Sequence, residues 1–175
     1  SCATIDTDMD SLTIANDATV TMTGTQYAAF SETITAGGTG EGITLSTDTV
    51  AIGTAHAAIE TYTTANGTNS ITLSAVGQNV TGGTGNDTVS VAGLTATGTL
   101  ALSTGTDVLI ATDGADISGI NSGAVTTAET LNISTAAAIG ITMTEAQYDA
   151  FVTGTITADS DNDTITIAAG DIVSI

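Results

Sequence analysis

Asp87-Thr88-Val89-Ser90-Val91 sets the pattern from which the rest of the chain is read. An acid and a small polar residue are followed by apolar, polar and apolar residues in alternation. Period-two alternation marks a half-buried strand, and Val, Ile and Thr suit a pleated surface. The phrase recurs as Asp10-Ser-Leu-Thr-Ile14, Asp48-Thr-Val-Ala-Ile52, Asn69-Ser-Ile-Thr-Leu73, Glu129-Thr-Leu-Asn-Ile133 and Asp163-Thr-Ile-Thr-Ile167. Looser copies begin at Glu41 and Asp107.

Turn-rich stretches separate the strands: Gly37-Gly38-Thr39-Gly40, Asn66-Gly67, Gly82-Gly83-Thr84-Gly85 and Asp113-Gly114. Gly and Asn supply the positive φ angles of tight turns. From Asp48 to Glu129 the phrases start about 18 to 22 residues apart, room for two short strands and two turns. That is one coil of a β-solenoid. The expected fold is therefore all-β, an irregular solenoid of the β-helix or β-roll kind with one or two short helical turns and about seven to nine coils. An antiparallel β-sandwich is the rival, because short strands with frequent turns suit both.

Composition bounds the rest. The chain has 175 residues, no Lys, Arg, Pro or Trp, one His, one Cys and 19 acids, for a formal charge of -19. Thr is the commonest residue, with 39 copies. Hydrophobic content of 41% is enough for a core, and with 3% aromatics it is a thin one. Nucleic-acid binding needs cations to neutralise phosphates, and anionic membranes repel such a chain. Phosphoryl transfer is disfavoured for the same reason. Carboxylates without basic partners must face water, accept hydrogen bonds or bind metal. One Cys, Cys2, excludes an internal disulfide; it reads as an incidental residue, a free thiol or a lipid attachment point. No apolar run is long enough to span a membrane. Residues 1–175 read as a single repeat-built β domain, and the first residue, Ser1, suggests a processed product or a segment of a longer secreted protein.

A longer repeat is superimposed on the short one. Val20-Thr-Met-Thr-Gly-Thr-Gln-Tyr-Ala-Ala-Phe30 matches Ile141-Thr-Met-Thr-Glu-Ala-Gln-Tyr-Asp-Ala-Phe151, and the match continues to Ile43-Thr-Leu45 and Ile165-Thr-Ile167. A degenerate copy runs from Gly53 to Leu73 with His56 in the place of Tyr27. The Gln-Tyr-x-x-Phe segments predict one helical turn each, with Thr144-Glu-Ala-Gln147 as a capping box. Their Tyr and Phe side chains are expected to plug the coil sides or ends.

Gly82-Gly-Thr-Gly-Asn-Asp-Thr-Val-Ser90 resembles the nonapeptide of RTX proteins, the secreted bacterial toxins, proteases and adhesins whose Gly-rich half-turn and Asp bind Ca²⁺. The resemblance implies a calcium loop from Gly83 through Gly85 to Asp87, with Val89 in the core. Neighbouring turns depart from it: Ser103-Thr-Gly-Thr-Asp107 keeps one Gly and the Asp, and Gly37 to Gly42 has Glu41 instead. The Thr-Met-Thr-x-x-Gln-Tyr-x-x-Phe phrases resemble repeats of very large bacterial surface and S-layer-like proteins. That likeness covers about a third of the chain and implies cell-surface structure.

Two acidic triads precede strand phrases, Asp6/Asp8/Asp10 and Asp159/Asp161/Asp163. Alternate carboxylates can curl around Ca²⁺, and the same pattern also makes a solvated acidic turn. Neither is an EF-hand: loop position 6 lacks Gly, and position 12 is Asp17 or Gly170 rather than Glu. His56 has no second His or nearby Cys, so packing outweighs chemistry there. No nucleophile elbow accompanies it, and the sequence reads as a non-enzyme. Asn66, Asn79, Asn86, Asn132 and Asn162 lie in N-x-S/T sequons that could accept glycans. The expected role is an extracellular bacterial or archaeal subunit that self-assembles into a filament or surface layer, with Ca²⁺ as stabiliser. The alternatives are a spacer or binding module of a large adhesin and, from recurrent Thr-x-Thr pairs, an ice-binding protein.

Overall fold

The computed structural model describes residues 11–30, 33–47, 51–121, 127–133, 137–152 and 154–168. Cys2, Asp6, Asp8, Asp10, Asp48 and the Asp171–Ile175 phrase lie outside the described residues.

Every strand pairing among the described residues is parallel, which makes the architecture a β-solenoid of about seven turns and overturns the sandwich alternative. One face is a six-stranded sheet of β5 (Ala51–Thr54), β7 (Ser70–Leu73), β9 (Thr88–Val91), β11 (Val108–Ala111), β12 (Thr130–Asn132) and β14 (Thr155–Thr157), stacked in that order. The second face is a five-stranded sheet of β2 (Thr19–Met22), β4 (Gly42–Leu45), β6 (Thr61–Thr63), β8 (Asn79–Thr81) and β10 (Leu100–Ala101). Two further pairs complete the coil ends: β1 (Leu12–Ile14) with β3 (Ile34–Ala36), and β13 (Gly140–Met143) with β15 (Thr164–Ile167).

This arrangement explains the uneven spacing of the strand phrase. The copies that start between Asp48 and Glu129 feed successive strands of one sheet, so their interval is one coil. Those at Glu41 and Asp163 feed β4 and β15, away from that sheet. In the six-stranded sheet Ile71, Val89, Leu109, Leu131 and Ile156 lie in register and face inward. The first four are buried and Ile156 is half-buried. Each such side chain contributes about 1.5–3 kcal/mol by leaving water, and it does so only against adjacent coils.

The long repeat is a repeat of structure. β1, β2, α1 (Gly24–Phe30), β3 and β4 are matched by β12, β13, α2 (Glu145–Val152), β14 and β15. Register is kept: Leu12 pairs with Ile34 as Leu131 pairs with Ile156, and Val20 with Ile43 as Ile141 with Ile165. Each helix is longer than the single turn expected. Both open on a reciprocal cap, with Thr23 N–H donating to Gln26 Oε1 (2.8 Å) and Gln26 N–H to Thr23 Oγ1 (3.2 Å). Thr144 and Gln147 repeat these bonds at 2.8 and 3.2 Å. The degenerate copy at Gly53 makes no helix; it runs from β5 into a turn at Ala57–Ala58. Tyr27, Phe30 and Phe151 fill the interior as expected, whereas Tyr148 is 38% exposed, a correction to that expectation.

The two ends differ from the middle in a matched way. Ile34, Ile43 and Leu45 are 6%, 1% and 1% exposed, with β4 covered by the following strand β6. Their counterparts Ile156, Ile165 and Ile167 are only half-buried, and among the described residues β14 and β15 have no further neighbour. At the other end Leu12 and Val20 are half-buried, while their counterparts Leu131 and Ile141 are sealed.

Candidate functional site: stacked turns and a carboxyl ladder

The RTX-like nonapeptide forms a turn that sits directly on the turn of the preceding coil. Gly67 N–H donates to Thr84 O (2.6 Å) and Gly85 N–H to Thr104 O (2.8 Å), so the turns at 66–67, 84–85 and 104–105 form one column. The glycines are there for contact between coils. A Cβ on Gly83 would collide with Ala65 O, and one on Gly85, whose φ is +127°, would lie 2.5 Å from Gly67 O. Asn66 Oδ1 accepts Thr84 N–H at 3.0 Å, and Asn86 Oδ1 accepts Thr106 N–H at 2.9 Å. Both sequon asparagines remain exposed at the surface.

The Asp87 side chain turns inward, with Oδ2 toward Gly82 at the start of the same nonapeptide. The side chain is 3% exposed, and Oδ1 accepts Asn69 N–H (3.0 Å) and Asn69 Nδ2–H (2.9 Å) from the coil before. Asp107 Oδ1 in turn accepts Asp87 N–H at 2.7 Å, and Glu129 Oε2 accepts Asp107 N–H at 2.7 Å. The residues that open the strand phrase thus form a ladder, Asn69–Asp87–Asp107–Glu129. Each of its carboxylates holds a backbone amide one coil away, which satisfies a donor at the strand start. Asp87 Oδ2 and Asp107 Oδ2 are buried without a partner, as are both carboxylate oxygens of Glu41. Burial raises the pKa of Asp87 against its bonds from Asn69, and raises that of Asp107, with Asp87 and Glu129 adding repulsion. A cavity of about 10 Å³ adjoins Asp87, bordered by Thr64, Asn69, Val80, Gly82 and Leu102. That is room for one water at most.

The described triad is a surface turn. Asp159 and Asp161 are exposed; Asp159 Oδ1 accepts Asp161 N–H at 2.9 Å. Asp163 Oδ2 accepts Asp159 N–H (3.2 Å), and its Oδ1 accepts Ile139 N–H (3.1 Å) one coil away. The structure therefore brings Asp159, Asp161 and Asp163 into one turn and keeps Asp87 apart from them inside the core. Among the described residues no three His, Cys, Asp or Glu side chains converge as metal ligands would.

His56 belongs to a buried hydroxyl cluster. Its N–H donates to Tyr27 OH (3.1 Å) and Tyr62 OH (2.7 Å), and the two hydroxyls are 3.1 Å apart. The rings meet edge to face at 5.9 Å. Burial, with the Tyr27 hydroxyl, drives the Tyr62 pKa far above the ordinary tyrosine value. His56 Nδ1 accepts Ala58 N–H at 3.3 Å, so the ring is engaged in its own turn.

Two buried glutamines were not singled out beforehand as inter-coil contacts. Gln78 Nε2–H groups reach His56 O (3.0 Å) and Ile59 O (2.9 Å), and those of Gln147 reach Ile117 O (2.7 Å) and Ile120 O (2.8 Å). Each spans carbonyls three residues apart in a neighbouring turn. The outer face of the five-stranded sheet carries an in-register rank, Thr21–Thr44–Thr63–Thr81, flanked by Thr19 and Thr61. No helix among the described residues is long and apolar enough to cross a membrane. The chain matches no known protein family, no curated protein and no solved structure.

Proposed function

We propose that this chain is an extracellular structural subunit whose solenoid continues from one copy to the next, building a filament or surface layer. The supporting observation is the matched pair of ends. Ile156, Ile165 and Ile167 are half-buried where their repeat counterparts are covered by a further coil, and Leu12 and Val20 stand in the same condition at the opposite end. Stacking β14 and β15 of one copy on β1 and β2 of the next would seal both sets and extend both ladders. Such a head-to-tail contact does not close on itself, so it grows into an open polymer.

The test is sedimentation velocity and electron microscopy of the wild type and of the I165D/I167D variant. Rods from the wild type and their loss in a variant with unchanged circular dichroism support the reading. A wild type that stays monomeric at high concentration refutes it. Calcium belongs to this reading only as a stabiliser: the Asp159–Asp163 turn gathers acidic side chains at the end coil without a ready-made ligand set, and an ion bound there would rigidify that coil. The thermal midpoint should then fall on chelation, and an unchanged midpoint removes calcium from the account.

One observation favours a second reading. The Thr21–Thr44–Thr63–Thr81 rank repeats at the strand spacing of about 4.8 Å. A regular hydroxyl array of this kind suits ice. Thermal hysteresis lost on substituting Thr44 and Thr63 by Tyr would support it, and wild type without hysteresis would end it.

A further inference from the structure

We infer that the Asp87–Asp107 carboxyl pair keeps a proton inside the folded solenoid at pH values where surface carboxylates have lost theirs, so that acid strengthens the stack.

The pair is built for this by geometry. Both side chains are nine-tenths or more buried, at 3% and 0% exposure. They occupy successive rungs, linked through Asp107 Oδ1 and Asp87 N–H at 2.7 Å. In each, one oxygen is used by the ladder and Oδ2 is buried with no partner. The charged group facing them from the next rung is Glu129, another acid, and the sequence contains no Lys or Arg to offset any of the three. The other residues around the cavity beside Asp87 are all neutral, among them Asn69, Thr64, Val80, Gly82 and Leu102. Two adjacent buried carboxylates cannot both ionise cheaply, because the charge on one opposes ionisation of the other.

The donor set explains why a proton rather than a metal neutralises the pair. Ca²⁺ takes six or more oxygens in an open shell, whereas the space beside Asp87 is about 10 Å³ and largely apolar. Asn69 supplies an internal precedent. The same rung of the preceding coil carries a neutral amide, which donates to Asp87 Oδ1 and keeps the register. A protonated carboxyl at Asp87 or Asp107 is, like that amide, a neutral group on a buried rung.

The pH dependence follows by linkage. Below the ordinary carboxylate range both folded and unfolded chains hold the protons. As pH rises through that range the unfolded chain releases them first, while the folded pair holds on. Stability therefore falls from the ordinary carboxylate pKa up to the raised folded value, and is level above it.

The inference concerns a single folded chain and does not depend on filament formation. Carbon NMR of the Asp side-chain carbonyls, titrated in the full-length wild type, reads it directly. At least one of Asp87 and Asp107 is expected to titrate above the ordinary aspartate range. The double variant D87N/D107N should lose part of the fall in thermal midpoint as pH rises through and above the ordinary carboxylate range, while D149N keeps it. Titration of both residues within the ordinary aspartate range, or a pH slope the same in D87N/D107N as in D149N, overturns the inference. If the double variant does not fold, the wild-type titration alone decides.

Discussion

Replacing Gln147 by Ala separates a structural latch from a simple helix cap. Gln26 and Gln147 occupy the same place in the long repeat and make the same capping bonds with Thr23 and Thr144. Gln147 does more: it is fully buried, and its Nε2 holds Ile117 O and Ile120 O at 2.7 and 2.8 Å. Ile117 O retains a bond from Ile120 N–H, so Ile120 O bears most of the loss. A buried acceptor left without a donor costs about 1–3 kcal/mol, a weakened one less, and a lost cap about 1 kcal/mol. Q147A should therefore cost about 3 kcal/mol and Q26A about 1 kcal/mol. In a chain of this size these are losses of about 6–12 °C and 2–4 °C in thermal midpoint. Q147E should be at least as damaging as Q147A, because it sets a carboxylate against two carbonyls while keeping the cap acceptor. Urea unfolding followed by circular dichroism measures all three. Equal losses for Q147A and Q26A, or a near-native Q147E, would refute the latch.

Leu109→Ala, in a fully buried rung, should cost about 2–5 kcal/mol, whereas Ile156→Ala at the half-buried end should cost less than half as much in dilute monomer. Gly98→Ala drives a Cβ into Gln78 O and should be worse than Gly114→Ala, which has open space and only a φ of +77° to strain it. The Gly114 change is expected to cost about 1–2 kcal/mol in a thermal melt. Tyr62→Phe removes the shorter of the two bonds made by His56 N–H and the Tyr27 hydroxyl contact, and should cost about 0.5–1.5 kcal/mol without altering the strand content seen by circular dichroism.

The strand phrase carried the six-stranded sheet because both of its signals, alternation and an opening acid, are imposed by the coil. Inward Val89 and Leu109 must be apolar, and the acid or amide must reach an amide one coil away. Strands β6, β8 and β10 are harder to read. Thr61-Tyr62-Thr63 opens on Glu60 without the full phrase, and Leu100–Ala101 is too short to alternate. The Gly-rich nonapeptide marks a turn in the sequence, but the stacking of that turn on its neighbours, with backbones in close approach at Gly83 and Gly85, depends on residues one coil away. The direction of the Asp87 side chain depends on Gly82 leaving room beneath it and on Asn69 above, and neither is visible in a single repeat. Gln147 was legible as a cap because its partner Thr144 is three residues away. Its second role depends on residues about thirty positions earlier, brought close only by the coil. Tyr148 copies Tyr27 in sequence but not in burial, since Tyr27 has Tyr62 and the His56 turn packed over it.

The central claim is that one solenoid continues into the next through its end coils. Cryo-electron microscopy of assembled wild-type protein tests it most directly. The predicted result is an unbranched rod with strands perpendicular to its axis, spaced about 4.8 Å apart without a gap across the subunit boundary, and with β14 and β15 beside β1 and β2 of the next copy. Subunits that pack side by side with those strands facing solvent would contradict it, as would a protein that forms no rods at any concentration.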